Sequence, residues 1–129
     1  MLNADSMFQV GQLHGIDLNV STPEQALREL ERLIQLRNSH FVCFFEGNLF
    51  YRSLREKTVK DTINQATLVY PDGIAVAKAL SWQLRRPVQR VSGPAFLLQA
   101  CAYGISRNWR HFFLGGGEGV AERLAEKLC

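Results

Sequence analysis

No stretch of the 129-residue sequence approaches the roughly 20 consecutive apolar residues of a membrane-spanning helix. The opening Met1-Leu2-Asn3-Ala4-Asp5 has neither the basic nor the apolar region of a signal peptide, so an intracellular site is expected. Cysteine is sparse: Cys43, Cys101 and Cys129 are odd in number and far apart. Without a Cys-x-x-Cys pair there is no zinc ribbon or thioredoxin-type motif, and the three thiols read as reduced, mostly buried small hydrophobes. His14, His40 and His111 are equally scattered and read as structural or surface residues rather than metal ligands. A Gly-x-Ser-x-Gly elbow, an Asp-x-Asp pair and a Lys-Ser or Lys-Thr after a glycine loop are all missing. These gaps set aside serine-nucleophile hydrolysis, a carboxylate-held divalent metal and a Walker phosphate loop.

Acidic residues are unevenly missing. Residues 1–64 hold seven Lys/Arg and eight Asp/Glu, whereas residues 65–129 hold eight and four. Between Asp72 and Glu118 there is no acidic residue, while Lys78, Arg85, Arg86, Arg90, Arg107 and Arg110 all lie there. Such a stretch is either a solvated basic face or a surface that meets phosphate, in a nucleotide, a pyrophosphate or an anionic lipid headgroup. Nucleic acid is not expected, because the basic patch is thin and Phe and Trp fall mainly inside apolar runs.

What is present is the material of an ordinary globular domain: 47% hydrophobic and 21% charged residues. A chain of this length buries about two-thirds of its unfolded surface, enough for a core without disulfide or metal. Phe8 to Val20, broken by Gly11 and Gly15, predicts one or two short strands. Thr22-Pro23-Glu24-Gln25 is a capping box with proline at the first helical position, and the apolar spacing carries a helix through Arg37. The continuous apolar run Phe41 to Phe45 predicts a strand covered on both faces. A polar helix follows over Leu49 to Gln65, with Leu54, Thr58 and Ile63 inward, and then a strand Thr67 to Tyr70. Helices over Ile74–Leu84, Gly93–Ser106 and Val120 to the end alternate with short strands at Val88–Ser92 and His111–Leu114. Strand–helix alternation of this kind predicts an α/β fold with a mostly parallel sheet and helices on both faces, in one domain spanning residues 1–129.

In such sheets ligands gather beyond the carboxyl ends of the strands. Three loops leave strands there: Glu46-Gly47-Asn48, Pro71-Asp72-Gly73 and Gly115-Gly116-Gly117-Glu118-Gly119. The glycine loop opens a helix, so its backbone N–H groups either hold phosphate or simply let helix and strand pack. Its spacing departs from a dinucleotide fingerprint, which leaves a nicotinamide-dependent oxidoreductase poorly supported. Asp72, between Pro and Gly at a strand terminus, is either a general base toward a hydroxyl or a turn aspartate bonded to its own backbone. Asn48 either bonds a substrate or caps a helix.

The run from Ala66 through Asp72-Gly73 to Ala77, then Arg90-Val-Ser-Gly93, then Phe113-Leu-Gly-Gly-Gly-Glu-Gly-Val-Ala121 resembles the WecG/TagA/CpsF family of bacterial glycosyltransferases, as does Gly15-Ile-Asp-Leu-Asn19. The resemblance implies a Rossmann-like three-layer fold at the cytoplasmic face of the membrane. It implies inverting transfer of an N-acetylmannosamine-type sugar from a UDP-sugar to an undecaprenyl-diphosphate-linked acceptor. Products of such transfers feed exopolysaccharide, common-antigen or teichoic acid synthesis. Asp72 matches the family's proposed base. Glu46, Asn48, Gly73, Ser92, Gly93, Gly115, Gly116, Gly117 and Glu118 fall at positions expected to bind substrate. Two positions depart: Glu46 stands where Thr is usual, and Ala95 where the family has Asp.

The sequence itself requires no cofactor, the UDP-sugar being a substrate, and metal use is left open. The expected partners are that donor, the lipid-diphosphate-linked acceptor and, in a longer form, the membrane surface, with homo-oligomers left open. Family members continue well beyond the Leu-Gly-Gly motif, so a C-terminally incomplete domain is expected. A non-catalytic nucleotide-sugar-binding or interaction domain of the same family is the alternative.

Overall fold

A computed structural model describes residues 9–128. The chain divides into two compact units at Gly93/Pro94, in the first turn of a helix. The first unit opens with an antiparallel hairpin, β1 (Gln9–Leu13) and β2 (Ile16–Val20). Its two-residue turn, His14-Gly15, has φ of 48° and 77°. Two left-handed residues in succession match the twist of the flanking strands. Gly11 is required by close approach: a Cβ there would lie 2.8 Å from Leu80 Cδ2.

Helix α1 (Pro23–Gln35) starts as its sequence predicts. The Gln25 N–H donates to Thr22 Oγ1 at 3.1 Å and the Thr22 N–H to Gln25 Oε1 at 2.9 Å. Ala26, Glu29 and Leu33 form its buried stripe. Strand β3 (Val42–Phe45) leads through helices α2 (Gly47–Arg55) and α3 (Lys57–Asn64) to β4 (Leu68–Pro71), which pairs with β3 in parallel, Val42 opposite Leu68 and Phe45 opposite Pro71. Helix α4 (Ile74–Leu84) follows and ends at Arg85 in the left-handed region. The core gathers Ile16 and Leu18 of β2, Phe45, Ile63, Val69, Val76 and Leu80. The Phe50 ring meets Phe45 edge-on at 5.7 Å.

β2 and β4 are joined without a shared ladder. Buried Asn19 turns its side-chain oxygen to the Val69 N–H at 2.8 Å. Two residues on, the Pro71 carbonyl accepts from the Val91 N–H at 2.9 Å. An isolated side chain and a single loop amide thus meet polar groups of β4 that a third strand would otherwise meet.

The second unit contains α5 (Gly93–Gly104), which spans the division, a 3-10 turn (Ile105–Arg107) and α6 (Val120–Leu128). The chain reverses at Asn108, φ 56°, and lays Trp109 over Gly104, where a Cβ would meet the indole at 2.8 Å. Tyr103 lies between Trp109, at 5.6 Å, and the Arg107 guanidinium, at 3.6 Å from its ring centre.

Four expectations are corrected. The described residues form two two-stranded sheets, one antiparallel and one parallel, so the mostly parallel sheet reduces to the β3–β4 pair in a mixed α/β arrangement. Val88–Ser92 is not a strand, because its N–H groups go elsewhere: Val88 donates to Ser81 Oγ and Val91 to Pro71. His111–Leu114 is irregular, with Phe112 and Leu114 exposed, since no described strand pairs with it. The helix expected over Leu49–Gln65 is two helices that meet at extended Glu56, and the break rotates the buried face. Ser53 and Ile63 are buried while Leu54 and Thr58 are exposed.

Candidate active site

The parallel pairing of β3 and β4 sets two loops side by side at the carboxyl ends of the strands. Past Phe45 and Pro71 the ladder makes one more bond, from the Asp72 N–H to the Phe45 carbonyl at 2.9 Å. Glu46-Gly47 and Asp72-Gly73 therefore touch: a Cβ on Gly73 would lie 3.4 Å from both Cα and Cβ of Glu46. The bond from Val91 to Pro71 brings a third segment, Arg90 to Gly93, to the same end.

Asp72 is the point where these segments meet. Its Oδ2 accepts from the Gly93 N–H at 3.4 Å, and its Oδ1 lies 3.8 Å from Arg90 Nε. Its side chain retains 22% of its exposure, so it is neither sealed in the core nor loose in water. The turn reading of Asp72 does not hold, since its partner lies 21 residues away rather than in its own turn. Both contacts are long, which leaves the carboxylate able to take a proton from a hydroxyl placed beside it. Gly93 fits closely, because a Cβ there would sit 3.5 Å from both Asp72 Oδ2 and the Phe44 ring. Phe44 in turn lies against the Tyr70 ring at 6.0 Å.

Glu46 has a different task. It is the N-cap of α2, its Oε1 accepting from the Leu49 N–H and its Oε2 from the Asn48 N–H, each at 2.8 Å. The N-cap role open to Asn48 thus belongs to Glu46. Asn48 lies one position inside the helix, exposed and adjoining the site. A carboxylate at this position satisfies orphan N–H groups and suits the positive end of the helix. It also withdraws those donors from any ligand.

Beneath the site lies a buried carboxylate. The Ser21 and Tyr70 hydroxyls both donate to Glu29 Oε1, at 2.7 and 2.9 Å, with Ser21 also 3.1 Å from Oε2. Burial raises the Glu29 carboxyl above its ordinary value, outweighing the bonds from Ser21 and Tyr70 that favour the charged form. Burial, reinforced by Glu29, pushes the Tyr70 hydroxyl far up. Tyr70 is thus a neutral donor two residues before Asp72. A cleft of about 370 Å³ opens nearby along the chain, between Ser21, Thr22 and Gln25 on one side and Arg86, Pro87 and Gln89 on the other.

The structure thus brings Asp72, Gly73, Glu46 and Gly93 together, with Ser92 next to Gly93 in the same segment. Arg90 belongs with them. The sequence places it in a basic run and in the Arg90-Val-Ser-Gly93 motif without a role at the site, and its 18-residue separation from Asp72 carries no periodic signal. Gly115, Gly116, Gly117 and Glu118 lie in the second unit and form a turn of their own. Gly115, Gly116 and Gly119 take φ of 126°, 73° and 77°, and the Val120 N–H donates to the Gly117 carbonyl at 3.2 Å. The loop does lead into a helix, as its composition predicts.

Among the described residues no three His, Cys, Asp or Glu side chains converge as metal ligands. Cys43 and Cys101 are half-buried, and burial raises the Cys43 thiol; Cys129 lies outside the described residues. No helix among the described residues is long and apolar enough to cross a membrane.

Compared with known proteins, residues 11–129 match the model of one family, described as glycosyl transferase WecG/TagA/CpsF. No individual curated protein matches the chain.

Proposed function

Because the chain belongs to the WecG/TagA/CpsF family of glycosyltransferases, we propose that its Asp72 end carries out an inverting sugar transfer. The donor in this reading is a UDP-linked N-acetylmannosamine-type sugar, and the acceptor is a hydroxyl of an undecaprenyl-diphosphate-linked sugar. Such a product enters cell-surface polysaccharide or teichoic acid synthesis at the inner face of the membrane. The observation that carries the reading is the placement of Asp72: a half-buried carboxylate at the carboxyl end of a parallel strand, held by a distant amide beside a guanidinium.

The acceptor oxygen attacks the anomeric carbon as Asp72 takes its proton. A bond forms from that oxygen to the sugar, and the bond from the anomeric carbon to the donor phosphate breaks. UDP leaves with the electron pair, in one displacement that inverts the anomeric centre. No covalent sugar–protein intermediate is needed. The sequence has no Asp-x-Asp pair, and N–H dipoles and cations are the groups of this chain that would meet the charge on the departing phosphate. The amides of Gly115 to Glu118 form a local pattern suited to an anion of that kind. In this reading Gly73 and Gly93 keep space open around the carboxylate, and Ser92 and Asn48 contact substrate.

The test is transfer of radiolabelled sugar from UDP-N-acetylmannosamine to a lipid-diphosphate-linked acceptor, with Asp72→Asn as the paired variant. Full activity in that variant overturns the assignment of the base.

One observation favours a second reading, a non-catalytic nucleotide-sugar-binding or interaction domain of the same family. Glu46 fills the N-terminal donors of α2 with its own carboxylate, where the family pattern has a smaller hydroxyl residue. Calorimetry with UDP and UDP-sugars separates the two. Binding without turnover supports the domain, and turnover removes it.

A further inference from the structure

Helix α4 turns Val76, Ala77 and Leu80 inward. Its other side lacks the polar character of an ordinary surface helix. Ile74, Lys78 and Trp82, four residues apart, form one row, and Ala75, Ala79 and Gln83 form the next. All six are exposed, Ile74 at 61% and Trp82 at 87%. An exposed face in which Ile74, Ala75, Ala79 and Trp82 outnumber Lys78 and Gln83 is ordinarily covered, and a large indole is seldom left in water.

Charge indicates what covers this face. Lys78 lies within the exposed row, and Arg85 and Arg86 follow at the end of the helix. Among the described residues none of the three is paired with a carboxylate. No acidic residue occurs from Gly73 to Gly117. A second copy docking through this face would gather six cations, Lys78, Arg85 and Arg86 from each copy, with no acidic residue on the helix to offset them, which like-charge repulsion disfavours. Nucleic acid binding would ask for a denser basic patch with several stacked aromatics. An indole flanked by unpaired cations and small apolar residues is instead the pattern of a surface that settles among lipid headgroups.

We propose that the outer face of α4 docks on an anionic lipid membrane. Trp82 sits at headgroup level, with Ile74 beside it, and Lys78, Arg85 and Arg86 meet the lipid phosphates. This inference does not rest on the transferase reading and holds or fails separately from it.

The experiment is co-sedimentation of the full chain with vesicles of phosphatidylcholine alone or mixed with equal parts of phosphatidylglycerol. Binding is expected only to the mixed vesicles, and it weakens with salt. Each cation near an anionic surface contributes about fivefold, so Lys78→Glu/Arg85→Glu/Arg86→Glu lowers partitioning at least about 100-fold. Trp82→Ala lowers it by about tenfold. Because Trp82 is exposed, that variant keeps the wild-type circular dichroism and decides the matter even if the triple variant does not fold. A charge-matched control, Arg32→Glu/Arg37→Glu/Arg55→Glu, binds more tightly than the α4 triple variant.

Equal loss in the control and the triple variant overturns the proposal, as does equal binding to neutral vesicles. Binding to single-stranded DNA without vesicle binding assigns the face to nucleic acid instead. A Trp82-dependent dimer without vesicle binding assigns it to a second copy.

Discussion

The carboxyl end of the β3–β4 pair and the glycine loop ahead of α6 were both expected to face substrate, and they are held in different ways. At Asp72 the restraints come from far along the chain: the Phe45 carbonyl, the Gly93 amide and the Arg90 guanidinium. At Gly115 to Gly119 the backbone bonds run between residues three or four apart, Gly117 to Val120 and Gly119 to Arg123. The first region is positioned by the fold and the second by its own torsion angles. A group fixed by tertiary contacts is held at a defined place, which proton transfer requires. A loop fixed by left-handed glycines presents amides in a defined local pattern, which suits an anion but sets no distant partner.

The sharpest way to break this contrast is at Asp72. Replacement by Asn keeps the size and the Gly93 contact but removes the base, and transfer is expected to fall at least about 100-fold with unchanged circular dichroism. The matching change in the other region is Gly116→Ala. Its φ is 73° and an added Cβ would stand 2.9 Å from Val120, so the loop must shift. A cost of about 1–3 kcal/mol is expected in denaturant unfolding. Because that strain is local, the amide resonances of Gly73 and Gly93 should stay in place; movement of both would erase the distinction.

A smaller effect is expected at Arg90. A partly exposed pair at 3.8 Å contributes little, so Arg90→Gln should slow transfer by no more than about fivefold. A larger loss means that Arg90 meets substrate directly and not only Asp72. The smallest effect lies beneath the site. Glu29 titrates above its usual 4.5 because of burial, so the folded chain holds that proton more tightly than the unfolded chain. The resulting stabilisation is complete below pH 4.5 and is lost as pH rises through the raised value. Glu29→Gln keeps an acceptor for Ser21 and Tyr70 without the charge. Wild-type melting temperature should therefore decline relative to Glu29→Gln as pH rises from 4.5 through that raised value. Parallel curves would show that Glu29 is not held in this way.

Much of this was legible in the sequence wherever a local rule governs. Thr22 to Gln25 specified the start of α1, and Pro71-Asp72-Gly73 marked the end of a strand. Position alone singled out Asp72, as either a base or a turn aspartate, and the family resemblance favoured the base. Pairing was not legible. His111–Leu114 has the composition of a strand, but composition does not supply a neighbour for its backbone groups. Val88–Ser92 failed for a related reason, since Ser81 and Pro71 take its amides. Arg90 escaped because its meeting with Asp72 is created by the fold, and Leu54 because one extended residue, Glu56, resets the helical phase.

The side-chain oxygen of Asn19 has a consequence for assembly. Together with the Val91 amide it occupies the flank of β4 that faces away from β3. An unclaimed strand flank is where another chain adds itself, in aggregation as in recognition. On this side the protein has closed that opening with one amide side chain and one loop residue rather than with a strand. Among the described residues β3 pairs with β4 alone. Asn19 thereby works as a stopper, sealing one side of a two-stranded sheet against addition.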